Sequence, residues 1–156
     1  MAKILENELR NRGLRVEVLD GDEIRKNLSP ELGFSKADRE IHAKRVAYIG
    51  RLLSRNGVVT IIALISPYRS TREFARQLIG EFVEVWVQCS IETCSKRDVK
   101  GLYKVAEAGQ IANLTGIQDP YEPPTKPEVI INTEKETKEE CVERILSSLK
   151  DLEYID

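Results

Sequence analysis

The sequence predicts an α/β fold with a doubly wound, mostly parallel sheet. Three observations carry that expectation. Helical and strand-like segments alternate along all 156 residues. The segment at 58–65, Val-Val-Thr-Ile-Ile-Ala-Leu-Ile, is a continuous, β-branched-rich run, as strands buried on both faces of a parallel sheet are. A short strand at 15–19 also delivers Asp20-Gly21-Asp22-Glu23-Ile24-Arg25 into the start of a helix. Open α/β sheets bind ligands at such carboxyl ends of strands.

Each element follows from local pattern. Residues 2–12 form an amphipathic helix stopped by Gly13. After the strand at 15–19, a short helix at 22–28 is closed by Ser29-Pro30. Ser35, with Asp38 three residues on, caps a long helix that carries Ala43, Val46, Ala47, Ile49, Leu52 and Leu53 and stops at Asn56-Gly57. The apolar run at 58–65 is followed by a helix at 69–79, a strand at 82–88 and a helix at 91–97. Residues 98–127 are basic and rich in Gly and Pro, with one short helix near 102–108, and read as a lid-like surface excursion. A strand at 128–132 and a helix at 137–150 complete a single domain over 1–156.

Composition narrows the function classes. Hydrophobic content of 41% and charged content of 32% fit a globular chain. A net charge of −2 argues against non-specific nucleic-acid binding, which draws on excess Lys and Arg. No apolar run approaches the ~20 residues of a membrane span, and the N-terminus does not read as a signal peptide. A cytoplasmic location is expected. Cys89, Cys94 and Cys141 lack the paired spacing of a zinc site or a disulfide framework and read as packing residues. His42 is the only histidine, which disfavours a histidine-built metal centre.

Four segments follow strand ends or lie in loops, so the fold gathers them at one edge. They are Asp20-Gly-Asp22-x-x-Arg25; Leu32-Gly33-Phe34-Ser35-x-x-Asp38-Arg39; Ile65-Ser66-Pro67-Tyr68-Arg69; and Arg97-Asp98-Val99-Lys100-Gly101-Leu102-Tyr103-Lys104 with Asn113-Leu114-Thr115-Gly116-Ile117 and Pro120-Tyr121-Glu122-Pro123. Asp22 and Arg25 stand three residues apart, on one face of a first helical turn. That pair suits a hydroxyl losing its proton beside an anionic substrate; it is equally what an N-capping Asp with a surface Arg would give.

In this order and spacing, across residues 18–133, the segments closely resemble the adenylylsulfate kinase family of P-loop kinases. The resemblance implies transfer of the ATP γ-phosphate to the 3′-hydroxyl of adenosine 5′-phosphosulfate in sulfate assimilation, with ATP and Mg²⁺ as cofactors and a homodimer as a possible assembly. It places Asp22 near the 3′-hydroxyl, to accept its proton or help order Mg²⁺. Arg25 and Arg39 correspond to the grips on the phosphosulfate, where planar guanidiniums suit oxyanions. Phe34 corresponds to the aromatic that stacks on adenine; by itself it reads as a plug under a loop. Ile65 and Ser66 correspond to substrate contacts. Ser66 is also the serine proposed in the family as a phosphorylated intermediate, a step that direct in-line transfer does not need. Lys100 and Lys104 correspond to lid residues and Arg97 to a nucleotide contact; a closing lid excludes water.

The pattern also breaks. None of the nine glycines is followed by Lys, so the phosphate-binding loop G-x-x-x-x-G-K-[ST] is absent. The resemblance then implies a sheet lacking its first, central strand, with bare apolar surface and unpaired backbone groups where it would lie. An internal start site, a shortened chain and a natural relative that does not bind ATP in the usual way all fit. As written, the 156 residues are expected to be weakly active or inactive. His42 stands where many relatives carry Asn, and Leu114 where many carry Phe beside Thr115; losing that second aromatic face costs stacking of about 1 kcal/mol. The alternative reading is a non-catalytic or regulatory relative that keeps the adenylyl-sulfate pocket. A kinase for another small molecule is disfavoured by the Arg25, Arg39 and Phe34 set.

Overall fold

A computed structural model describes residues 1–98, 101–107 and 113–156, the side chains of 104, 106 and 107 excepted. Its elements run α1 (Ala2–Asn11), β1 (Val16–Asp20), α2 (Gly21–Leu28), α3 (Lys36–Ser54), β2 (Val59–Ala63), α4 (Arg69–Ile79), β3 (Val85–Gln88), α5 (Ile91–Arg97), α6 (Leu102–Glu107), β4 (Val129–Asn132) and α7 (Lys138–Asp151). The expected alternation of helix and strand is therefore present. The short helix foreseen within 98–127 is α6.

All strand pairing is parallel. β1 pairs with β2 from Val16 opposite Val59 to Asp20 opposite Ala63, and β3 pairs with β4 from Val85 opposite Val129 to Gln88 opposite Asn132. Among the described residues the strands form these two separate pairs rather than one continuous sheet. β2 departs from expectation for this reason. Its apolar run is only half-buried, because strand pairing covers one of its edges and not the other.

One core nonetheless spans both pairs. Leu5 and Leu9, one turn apart on α1, meet Val16 of β1, Val129 and Ile131 of β4, and Cys141, Val142, Ile145 and Leu146 of α7. Leu9, Ile131 and Cys141 are fully buried; for Leu9 and Ile131 such burial contributes roughly 2–3 kcal/mol each. Val59 and Ile61 of β2 pack against this cluster. Ile62, the next residue along, points the other way, toward α3, as alternation along a strand requires. There a Cβ on Gly50 would stand 2.9 Å from Ile62 Cδ1, so glycine lets α3 lie close against β2. α3 in turn packs along α4.

Capping sets the helix starts. Ser35 Oγ accepts from the Asp38 amide at 3.2 Å, as expected. Thr137 and Glu140 form a reciprocal capping box at α7. Cys89 and Cys94 are half-buried free thiols and Cys141 is a core thiol, in keeping with packing roles.

Candidate functional site

The site starts where β1 ends. Asp20 is the N-cap of α2, its Oδ1 accepting from the amides of Asp22 at 3.0 Å and Glu23 at 3.4 Å. Asp20 thus takes the capping task and Asp22 sits exposed in the first turn. Gly21 owes its identity to crowding. Its φ is not among the positive ones, but a Cβ there would lie 2.7 Å from Leu64 Cδ2 and 3.0 Å from the Ala63 carbonyl oxygen. Glycine lets α2 begin against the end of β2, which brings the Asp22 turn beside the segment leading to Ile65 and Ser66.

Three side chains from two helices and a loop converge next. The guanidiniums of Arg25 and Arg39 lie 4.9 and 5.4 Å from the centroid of the Phe34 ring, within cation–π range. Arg25 Nη1 donates to the Gly33 carbonyl at 2.8 Å. Arg39 Nε donates to the Phe34 carbonyl at 3.0 Å and its Nη2 to the Asn113 carbonyl at 2.8 Å. The last bond brings Leu114 and Thr115 to the same region. Burial first, then the like charge of Arg39, holds the Arg25 pKa below its ordinary value, with Asp38 opposing. Phe34 is 51% exposed. Half-exposed between two cations, the ring turns a face to solvent and fills no core position.

His42 lies beneath, on α3, and is buried. Its Nδ1 is 3.0 Å from Ser29 Oγ. Arg45 Nη1 donates to that hydroxyl at 3.2 Å, to the Leu28 carbonyl at 2.9 Å and to Glu31 Oε1 at 2.6 Å. With Arg45 donating to Ser29, the arrangement that uses every group has the hydroxyl donating to Nδ1. We therefore assign the ring proton to Nε2. Burial, then Arg25, then Arg45 push the His42 pKa down to about 4. His42 Nε2 and Thr115 Oγ1 are buried without a hydrogen-bond partner among the described residues.

Ile65 is 60% exposed, and Ser66 takes φ 41°, a left-handed conformation that costs a serine on the order of 1 kcal/mol. Arg97 is held over the ends of the other strand pair, donating to the Thr133 carbonyl at 2.6 Å and Thr133 Oγ1 at 3.1 Å. Lys100 lies outside the described residues; Lys104 belongs to α6, its side chain likewise outside them. The sequence reading assigned no role to Arg45, Arg72 and Glu84, marked Ser29 only as a helix stop, and placed Glu122 at the site edge without a partner. Glu84 carried a signal, as a charge interrupting the apolar run Phe82-Val83-Glu84-Val85-Trp86-Val87.

Comparison with known proteins follows the same lines. A family model described as adenylylsulphate kinase matches residues 1–132. The adenylyl-sulfate kinase of Synechococcus sp. (strain JA-3-3Ab) is 49% identical over 148 residues, covering 95% of this chain and 84% of that protein. A probable bifunctional SAT/APS kinase 2 of Sorangium cellulosum is 51% identical over 155 residues, 99% of this chain; the chain spans only 27% of that relative's length. The structure of the Mycobacterium tuberculosis APS kinase CysC in complex with AMPPNP and APS superposes with a TM-score of 0.89 at 33% identity, over 96% of this chain and 88% of that one.

Proposed function

The chain belongs to the adenylylsulphate kinase family, and from that premise we propose that it transfers the γ-phosphate of ATP to the 3′-hydroxyl of adenosine 5′-phosphosulfate. The observation that carries the substrate is the Arg25–Phe34–Arg39 group. An exposed ring offers a face to a purine. Each guanidinium has five N–H donors, of which one in Arg25 and two in Arg39 are spent on backbone carbonyls. The rest are available to phosphate and sulfate oxygens, where forked donors bind best. Two buried polar atoms without partners, His42 Nε2 and Thr115 Oγ1, support a ligand nearby.

Asp22 stands at the carboxyl end of β1, where it takes the proton of the attacking 3′-hydroxyl. Ser66 contacts substrate from the loop after β2, with Ile65 and Leu114 as apolar wall, and transfer runs in line without a phosphoserine. Arg97 and Lys104 serve the nucleotide and Lys100 the substrate, the segment 98–127 acting as a lid over a single domain. Among the described residues no three acidic, His or Cys side chains gather to hold a metal ion. Mg²⁺ would be held by the triphosphate with Asp22 and would neutralise the phosphate charge; Mg²⁺ commonly binds through one or two carboxylates plus phosphates.

No helix among the described residues is long and apolar enough to cross a membrane. A cytoplasmic location and pairing into homodimers complete the reading; fractionation and light scattering test them. The decisive experiment measures adenosine 5′-phosphosulfate binding by calorimetry and ATP-dependent 3′-phosphorylation by product chromatography, with Asp22→Ala beside the unaltered chain. Binding retained with transfer lost in the variant is expected. Binding too weak to saturate in the unaltered chain would sink the substrate assignment. Because no glycine is followed by Lys, transfer by these residues alone is expected to be slow, so binding is the primary readout. Binding without any transfer in the unaltered chain would favour the regulatory alternative.

A further inference from the structure

One largely buried ion pair outside the Arg25–Phe34–Arg39 cluster belongs to none of the roles above. Arg72 of α4 and Glu84, just before β3, pair at 2.7 Å with side chains only 11% and 14% exposed. A buried ion pair is poor evidence for stability on its own account, because desolvation offsets much of the attraction. Here the guanidinium has other tasks. Its Nη1 donates to the Ser66 carbonyl at 2.6 Å and its Nη2 to the Glu122 carbonyl at 2.6 Å, while Nε serves Glu84. Three nitrogens thus hold three separate pieces of chain. The ring of Tyr121 lies 5.8 Å from the same guanidinium.

The two loops so held are also knitted to each other. The Glu122 amide donates to the Pro67 carbonyl at 2.8 Å. The Arg69 amide donates to Glu122 Oε2 at 2.7 Å, and Arg69 Nε to the Pro123 carbonyl at 2.8 Å. One loop carries Ile65 and Ser66, the latter in its strained left-handed conformation. The other is the far end of the segment whose near end, Asn113, is gripped by Arg39.

We propose that Arg72 is a positioning residue for the candidate site: it fixes the Ile65–Ser66 loop and residues 121–123 at one separation, so that the wall on that side of the substrate is preformed. This rests on the adenylyl-sulfate reading given above. The role needs arginine. A planar fork spreads its donors over three directions from one rigid group, whereas the lysine ammonium is a single point on a flexible stem. Glu84 neutralises the buried fork and fixes its plane. The strain at Ser66 persists because Arg72 holds the carbonyl on its far side, which is how over-determined backbone survives at working sites.

The test compares the unaltered chain with Arg72→Lys, Arg72→Ala and Arg76→Gln. Arg76 is the control: it lies on the same helix, pairs bidentately with Glu128 at 2.7 and 2.8 Å and shares Glu84 only through a longer contact of 3.5 Å, but bonds to neither loop. Arg72→Lys is expected to weaken adenosine 5′-phosphosulfate binding on the order of tenfold, as a wall displaced by a fraction of an ångström does. Added ethylguanidinium is expected to restore affinity to Arg72→Ala. Arg76→Gln is expected to lower the melting temperature and leave affinity unchanged. Amide exchange in the ligand-free protein gives an independent readout, the Glu122 amide exchanging faster in Arg72→Lys and not in Arg76→Gln. Unchanged affinity in Arg72→Lys, equal affinity loss in Arg76→Gln, or an unchanged Glu122 exchange rate would each overturn the proposal. Absence of binding by the unaltered chain would overturn the substrate reading instead, and the exchange rates would still decide whether Arg72 holds the loops.

Discussion

His42 Nδ1 sits 3.0 Å from the Ser29 hydroxyl, and both side chains are buried. The histidine is held neutral, its pKa pushed from 6.5 down to about 4. The native state therefore binds fewer protons than the unfolded chain between those values, so stability is full above about pH 6.5 and is lost as pH falls toward 4. The loss amounts to about 3 kcal/mol at the acid end of the window. Urea midpoints at pH 4.5 and 7.5 check it. His42→Asn is expected to flatten the difference between them, leaving only what other groups contribute.

Arg39 makes a contact that Arg25 does not, the bond to the Asn113 carbonyl. Arg39→Lys is thus expected to loosen the adenine-side segment as well as the oxyanion grip. Adenosine 5′-phosphosulfate affinity should fall by about 2 kcal/mol, nearer 1.5 for Arg25→Lys. Calorimetric titration of both variants measures the difference. Equal losses would show that the Asn113 tether carries nothing.

Phe34 is half-exposed and anchors no core. Phe34→Leu is expected to leave the melting temperature within a degree or two while weakening binding by about 1 kcal/mol, the worth of a stacked aromatic face. Phe34→Trp should bind as well or better. A melting-temperature drop in Phe34→Leu without loss of affinity would return the ring to a packing role.

Gly21→Ala places a methyl group against Leu64 Cδ2 and the Ala63 carbonyl oxygen. The side chain can move but the carbonyl cannot, so a cost of about 1–3 kcal/mol is expected. Leu64→Ala in the same chain should restore only part of it. Chemical denaturation of the single and double variants gives the coupling.

How much of this was legible in the residues depended on range. The alternation of elements, the Ser35 cap and the apolar β2 run are written locally, and the structure has them. The Asp20–Arg25 turn was legible as a candidate site, but the demand for glycine at position 21 was not. That demand comes from the close approach of Ala63 and Leu64, which no local pattern encodes. β3 begins at Val85 and not at 82; at Glu84 the amide is already spent on the Glu128 carboxylate instead of on a strand neighbour. Ser66 has no sequence signal for a positive φ. Arg72 reads as a solvated helical arginine until the fold brings Glu84 and Glu122 to it.

Leu9 and Cys141 belong to one cluster although they come from the first and last helices. A chain emerging from the ribosome therefore carries the bare inner faces of α1 and β4 until α7 has been released. The surfaces that meet α7 wait on it, and in that interval the half-made core is most exposed to aggregation and to chaperones.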